Sequence, residues 1–77
     1  MEKVVIDFGN FIKEKRIEKG LSQVEVAKIL NISQQAYSRY ELGTREPGLQ
    51  MILDLAKILG FHPGDFFDLY RKQGPAR

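Results

Sequence analysis

A chain of 77 residues with 43 % apolar and 29 % charged side chains has ordinary globular composition and room for one domain, which excludes disordered and fibrous classes. It has no cysteine, which removes disulfides and thiolate metal ligands, and no apolar run approaching the roughly 20 residues of a membrane span. Twelve Lys and Arg against ten Asp and Glu leave a net charge of only +2, so charge alone does not point to nucleic acid.

The predicted elements are five short helices, separated at Gly20, Asn31, Gly43 and Gly60; no segment shows sustained period-two alternation. The first residues, Met1 to Ile6, lack the long apolar segment and small-residue cleavage site of a signal peptide. The first helix is predicted from about Phe8 to Lys19, with Asp7 as N-cap and Ile6 against Phe11 as a hydrophobic staple. Phe8, Phe11, Ile12 and Ile17 form its apolar side, and Gly20 ends it. The second helix runs from Gln23 to Leu30 behind the capping box Ser22-x-x-Glu25, buries Val26, Ala27 and Leu30, and stops at Asn31, which tolerates positive φ. The third runs from Gln34 to Leu42 with Ser33 as N-cap, Tyr37 and Tyr40 inward and Gly43 at its end. The fourth, from about Leu49 to Leu59, carries the wide stripe Leu49, Ile52, Leu53, Leu55, Ala56 and Leu59, which predicts the most buried helix. The fifth starts near Pro63, with His62 at its cap, and ends near Tyr70. Residues 1–70 are thus expected to form one domain and 71–77 a frayed tail.

Residues 23–42 carry the functional signal. Two helices crossing steeply over a short turn need a small residue at the crossing, a positive-φ residue in the turn, an apolar plug after it, and inward apolar groups on the second helix. Val26, Ala27, Leu30, Asn31, Ile32, Tyr37 and Tyr40 meet these demands in one register, a helix-turn-helix. The remaining side chains of its second helix, Gln34, Gln35, Ser38 and Arg39, face outward. Glutamine can pair with N6 and N7 of adenine and arginine with O6 and N7 of guanine, although glutamine is also a good helix former that needs no ligand.

The segment Leu21 to Glu41, with Lys15-Arg16-Ile17 before it and Glu41-Leu42-Gly43-Thr44-Arg45-Glu46-Pro47 and Leu55-Ala56-Lys57-Ile58-Leu59-Gly60 after it, resembles the Xre/Cro-type repressors, which include the lambdoid phage repressors. The resemblance covers nearly the whole chain and implies a compact all-α bundle of five helices. It departs from the family at Asn31, where Gly is usual, and at Leu42, where a polar residue is usual. It implies a transcriptional regulator, most simply a repressor, that inserts its third helix into the major groove of double-stranded DNA. Gln34, Gln35 and Arg39 fall on base-contacting positions, and Ser38 reaches a base or a phosphate. Gln23, Thr44 and Arg45 fall on phosphate-contacting positions, with Gln23 supporting Gln34. Lys19 and Lys28 would add general attraction. Arg16 and Glu41 fall on a pair that forms a largely buried salt bridge, so Glu41→Ala is expected to lower stability more than it alters base preference.

Phe61, Phe66, Phe67, Leu69 and Tyr70 crowd the C-terminal end. Phe61 and Phe66 are expected in the core, while Phe67, Tyr70 and Leu42 are candidates for a homodimer interface. The alternative is that the aromatics cover the first helix and the segment before it. A dimer would place two recognition helices about 34 Å apart on an approximately palindromic operator. No nucleophile–base set or phosphate loop is visible, so an enzyme is not indicated. No cofactor or metal is expected either, since His62 has no evident carboxylate partners and Asp65 and Asp68 suit a solvated helix start. The expected setting is the prokaryotic cytoplasm. An antitoxin that binds its own operator and a protein toxin is the main alternative, and polymerase is a further conceivable partner.

Overall fold

The computed structural model describes residues 3–66. Helices α1 (Lys3–Glu18), α2 (Gln23–Leu30), α3 (Gln34–Leu42) and α4 (Leu49–Leu59) follow one another, and a fifth helix, α5, opens at residues 63–66. No strand occurs among the described residues. The all-α, five-helix architecture agrees with the sequence reading. Phe67, Asp68, Leu69, Tyr70, the end of α5 and the 71–77 tail lie outside the described residues.

The largest departure is in α1, which begins five residues ahead of the expected start at Phe8. Asp7 is therefore not an N-cap. It sits inside the helix, where its carboxylate accepts from Lys3 Nζ one turn earlier at 2.8 Å. Ile6 is likewise not a staple residue, because it too is helical. The buried positions of α1 are Val5, Phe8, Gly9 and Ile12. Their i, i+3, i+4, i+7 spacing marks a regular amphipathic face. Ile17, expected on that face, is 58 % exposed.

Among the described residues, helices α1 and α3 form the most extensive packing, and α2 packs on α3. Gly9 makes the first of these contacts possible. A Cβ at Gly9 would lie 2.5 Å from the Glu41 carbonyl oxygen and 2.6 Å from that of Tyr40, so the backbone of α1 rests directly on the end of α3.

The core gathers Phe8 and Ile12 from α1, Val26 and Ala27 from α2, Tyr37 and Tyr40 from α3, and Leu55, Ala56 and Leu59 from α4. Phe61 and Phe66 complete it. The Phe8 and Phe66 rings meet edge to face with centroids 5.1 Å apart, and Phe11 and Phe61 do so at 5.0 Å. This geometry suits the quadrupoles of the rings. On α4 the apolar stripe is narrower than expected, because Leu49 is 73 % and Leu53 40 % exposed. No helix among the described residues is long and apolar enough to cross a membrane.

Candidate nucleic-acid interface

Helices α2 and α3 are set by cap chemistry that is local in sequence. The Ser22 hydroxyl accepts from the Glu25 backbone N–H at 3.0 Å, and the Glu25 carboxylate accepts from the Ser22 N–H at 2.8 Å. These reciprocal bonds satisfy two orphan donors and hold the Glu25 carboxyl below the usual carboxylate range, chiefly through the Ser22 backbone N–H. Asn31 takes the left-handed conformation, φ 60° and ψ 43°, and the Ile32 N–H donates to the Ala27 carbonyl at 3.0 Å. The chain thereby reverses within Asn31, Ile32 and Ser33. The Ser33 hydroxyl then accepts from the Ala36 N–H at 3.1 Å and starts α3.

The two faces of α3 differ in chemistry. Tyr37, Tyr40 and Glu41 are buried, Ala36 and Ser38 are half-buried, and Gln34, Gln35 and Arg39 are exposed. Leu42 is 67 % exposed at the end of the helix. Gly43 follows with φ 76°, and a Cβ there would lie 2.8 Å from Ile6 Cα, so the end of α3 is fixed against α1 as well as capped.

Behind the exposed face runs a polar network centred on Glu41, whose side chain is 3 % exposed. Arg16 Nε donates to Glu41 Oε2 at 2.6 Å and Arg16 Nη2 to Oε1 at 3.2 Å, a two-pronged ion pair joining α1 to α3. Arg16 Nη1 donates to the Leu21 carbonyl at 2.9 Å. The Tyr37 hydroxyl donates to Glu41 Oε2 at 2.6 Å, and Gln23 Nε2 donates to Oε1 at 2.9 Å. Gln34 Nε2 donates in turn to Gln23 Oε1 at 3.2 Å. The network therefore links the core to the first residue of α3.

Burial pushes the Glu41 carboxyl toward its neutral form, but donation from Arg16, Tyr37 and Gln23 outweighs burial and holds its pKa below the ordinary carboxylate value. The Arg16 guanidinium is held more firmly protonated, first by its hydrogen bond to Glu41. Burial, followed by donation to Glu41, pushes the Tyr37 phenol up beyond the usual tyrosine range. The centre is thus a fixed carboxylate, guanidinium and neutral phenol. No buried side-chain polar atom among the described residues lacks a partner.

Thr44 and Arg45 lie just beyond α3. The Thr44 hydroxyl donates to the Arg39 carbonyl at 3.4 Å, and Arg45 Cζ lies 5.8 Å from the centroid of the Tyr40 ring. Lys19 and Lys28 are exposed. At the start of α5 the His62 backbone N–H donates to the Asp65 carboxylate at 3.3 Å, a cap contact for that helix.

The structure thus brings Gln23, Gln34, Arg16 and Glu41 into one connected set and leaves Gln35 and Arg39 beside it on the outer face. Sequence reasoning missed the donation from Tyr37 and the direct bond between Gln23 and Glu41. A signal existed for the first: an inward tyrosine needs an acceptor for its hydroxyl, and Glu41 stands one helical turn away.

The helix-turn-helix family profile matches residues 12–66. The chain is 43 % identical over 53 residues to the SPbeta prophage-derived HTH-type transcriptional regulator YonR of Bacillus subtilis strain 168, a match covering 69 % of this chain and 49 % of YonR. It is 38 % identical over 53 residues to the cryptic phage CTXphi transcriptional repressor RstR of Vibrio cholerae, covering 69 % of this chain and 48 % of RstR. The match thus spans about half the length of each of these two relatives. Among solved structures, the restriction-modification controller protein C.AhdI of Aeromonas hydrophila superposes with a TM-score of 0.74 at 33 % identity, over 82 % of this chain and 96 % of that one. The matched region contains α2, the Asn31 turn, α3 and the Arg16–Glu41 pair, and the chain belongs to the helix-turn-helix family of the Cro/C1 type, whose members are DNA-binding transcriptional regulators rather than enzymes.

Proposed function

We propose that this chain binds double-stranded DNA sequence-specifically by placing α3 in the major groove, and that it acts as a transcriptional repressor, as a homodimer on a palindromic operator. One observation carries the reading: Tyr37, Tyr40 and Glu41 hold α3 by its inner face, so Gln34, Gln35 and Arg39 are exposed on the outer one. These residues supply the amide and guanidinium groups suited to adenine and guanine edges, with Ser38 at the margin of the same face. Gln23 at the start of α2 and Thr44 and Arg45 after α3 flank that face and would contact phosphates, which fix position without reading sequence. The relative RstR is a phage transcriptional repressor, which supports the sign of regulation. Exposed Leu42 is the described candidate for the dimer interface; Phe67 and Tyr70 are proposed to join it. Repression would follow from occupancy of the operator.

The test is selection of bound sequences from random duplex DNA, followed by affinity measurement across salt concentrations. The expected product is an approximate palindrome with half-sites about one helical turn apart. Affinity should fall linearly in log–log form as salt rises, because each phosphate contact releases counterions. Failure to enrich any sequence, or an affinity that stays flat between low and moderate salt, would refute the proposal.

A further inference from the structure

We infer that the buried Glu41 carboxylate is a positioning residue for base recognition: by fixing which way the Gln23 amide faces, it fixes the groups that Gln34 offers to a base, and so favours adenine over guanine there. The inference rests on the proposal that α3 docks in the major groove.

A side-chain amide has a donor end and an acceptor end of nearly the same shape, and its orientation follows from its neighbours. An ionised carboxylate only accepts. Glu41 receives Arg16 and Tyr37 on Oε2 and Arg16 and Gln23 on Oε1. Only the nitrogen of the Gln23 amide can face it, so the Gln23 oxygen is turned toward Gln34. That oxygen accepts from Gln34 Nε2 at 3.2 Å. One N–H of Gln34 is thereby committed. What remains is its carbonyl oxygen and a second N–H, one acceptor and one donor on a held frame. Adenine presents a donor at N6 and an acceptor at N7, which this pair matches. Guanine presents acceptors at both O6 and N7 and leaves the held carbonyl facing another oxygen.

The polarity of the readout is therefore set two side chains behind the interface by a group that never reaches DNA. Arg16 and Tyr37 contribute by keeping Glu41 ionised and in place. Gln35 stands outside this network and, among the described residues, carries no such constraint.

The experiment compares base preferences at every operator position for the wild type, Glu41→Gln, Gln34→Ala and a stability control, Leu59→Val, whose side chain lies in α4. Gln34→Ala identifies the position that Gln34 reads, because preference flattens there. Glu41→Gln places a donor and an acceptor where the carboxylate stood and lets the Gln23 amide turn over. The expected result is a loss of about tenfold or more in the adenine-to-guanine ratio at that position, the scale of one good amide–base pair, with unchanged preference elsewhere. Leu59→Val should lower stability and leave the whole profile intact. An unchanged ratio in Glu41→Gln, or an equal loss at all positions matched by Leu59→Val, overturns the inference. A wild type that selects no sequence removes the docking itself, which separates the two failures.

If Glu41→Gln does not fold, side-chain amide exchange in the wild type decides. The Gln23 and Gln34 amide protons should exchange with water more slowly than those of Gln35, and equal rates would overturn the inference.

Discussion

Replacing Gly9 by alanine asks whether the α1–α3 contact is as close as the geometry indicates. The added methyl carbon would meet two backbone carbonyl oxygens at 2.5 and 2.6 Å, where ordinary contact begins near 3.4 Å. The obstructing atoms belong to the backbone of Tyr40 and Glu41, so no flexible side chain can swing aside, and the two helices must separate. Overpacking of this kind costs about 1–3 kcal/mol, and the rigid obstruction puts it at the upper end. Helix propensity acts the other way, since alanine is favoured over glycine in a helix interior by about 1 kcal/mol. The net expectation is a loss of about 2 kcal/mol. At roughly 4–8 °C per kcal/mol for a domain of this size, the thermal midpoint should fall by about 8–16 °C. Melting followed by far-ultraviolet circular dichroism measures this directly. A midpoint equal to or above that of the wild type, as propensity alone would give, would refute the reasoning.

At the turn, Asn31→Gly should leave stability nearly unchanged, whereas Asn31→Ala should cost about 1–2 kcal/mol, because φ 60° crowds a Cβ without the local bonding an Asn side chain can make; urea midpoints in the reverse order would contradict this. Glu41→Ala should cost about 3–5 kcal/mol by leaving the Arg16 guanidinium, 13 % exposed, without its carboxylate, and an unchanged melting midpoint would reject it. Because the Glu41 carboxyl titrates below the ordinary carboxylate value in the folded state, the unfolded chain binds the extra proton first on acidification. The contribution of Glu41 is complete above that value and is lost as pH falls through the lowered folded-state pKa, so denaturation between neutral and acid pH should show a shallower decline in Glu41→Gln than in the wild type; equal slopes would count against it. Gly48 caps α4 with φ −77° and ψ 174° and no side-chain bond, so Gly48→Ser should raise stability by about a few tenths of a kcal/mol, and a lower thermal midpoint would argue otherwise.

The parts of the fold written in local chemistry were legible in the sequence. The capping box at Ser22 and Glu25, the left-handed residue at Asn31 and the Ser33 cap each involve residues within four positions of one another, and each stands where the sequence placed it. The start of α1 was not legible, because Asp7 suits a cap and an i, i+4 partner for Lys3 equally well. Gly9 also weakens the helical signal there, and its use is a close approach to residues more than thirty positions away. Ile17 and Leu49 carry the right residue type at roughly the right spacing and are nevertheless exposed, since periodicity shows a face but not how far its partner extends. At the candidate interface, the division of α3 into inner and outer faces followed from spacing alone. The bond from Gln23 to Glu41 did not, because it depends on how α2 and α3 cross and no local pattern encodes it.

The position of Arg45 bears on how firmly the proposed complex would hold. Its guanidinium lies over the face of Tyr40, a ring whose body is sunk in the core. Long side chains that must be stilled at an interface each subtract about 0.5–1.5 kcal/mol from affinity. Resting on an aromatic plane, this one has given up part of its rotational freedom when the chain folds, ahead of any encounter with a phosphate. Tyr40→Leu would keep a hydrophobic filler while releasing Arg45 to wander, and part of that ordering cost would then fall on association.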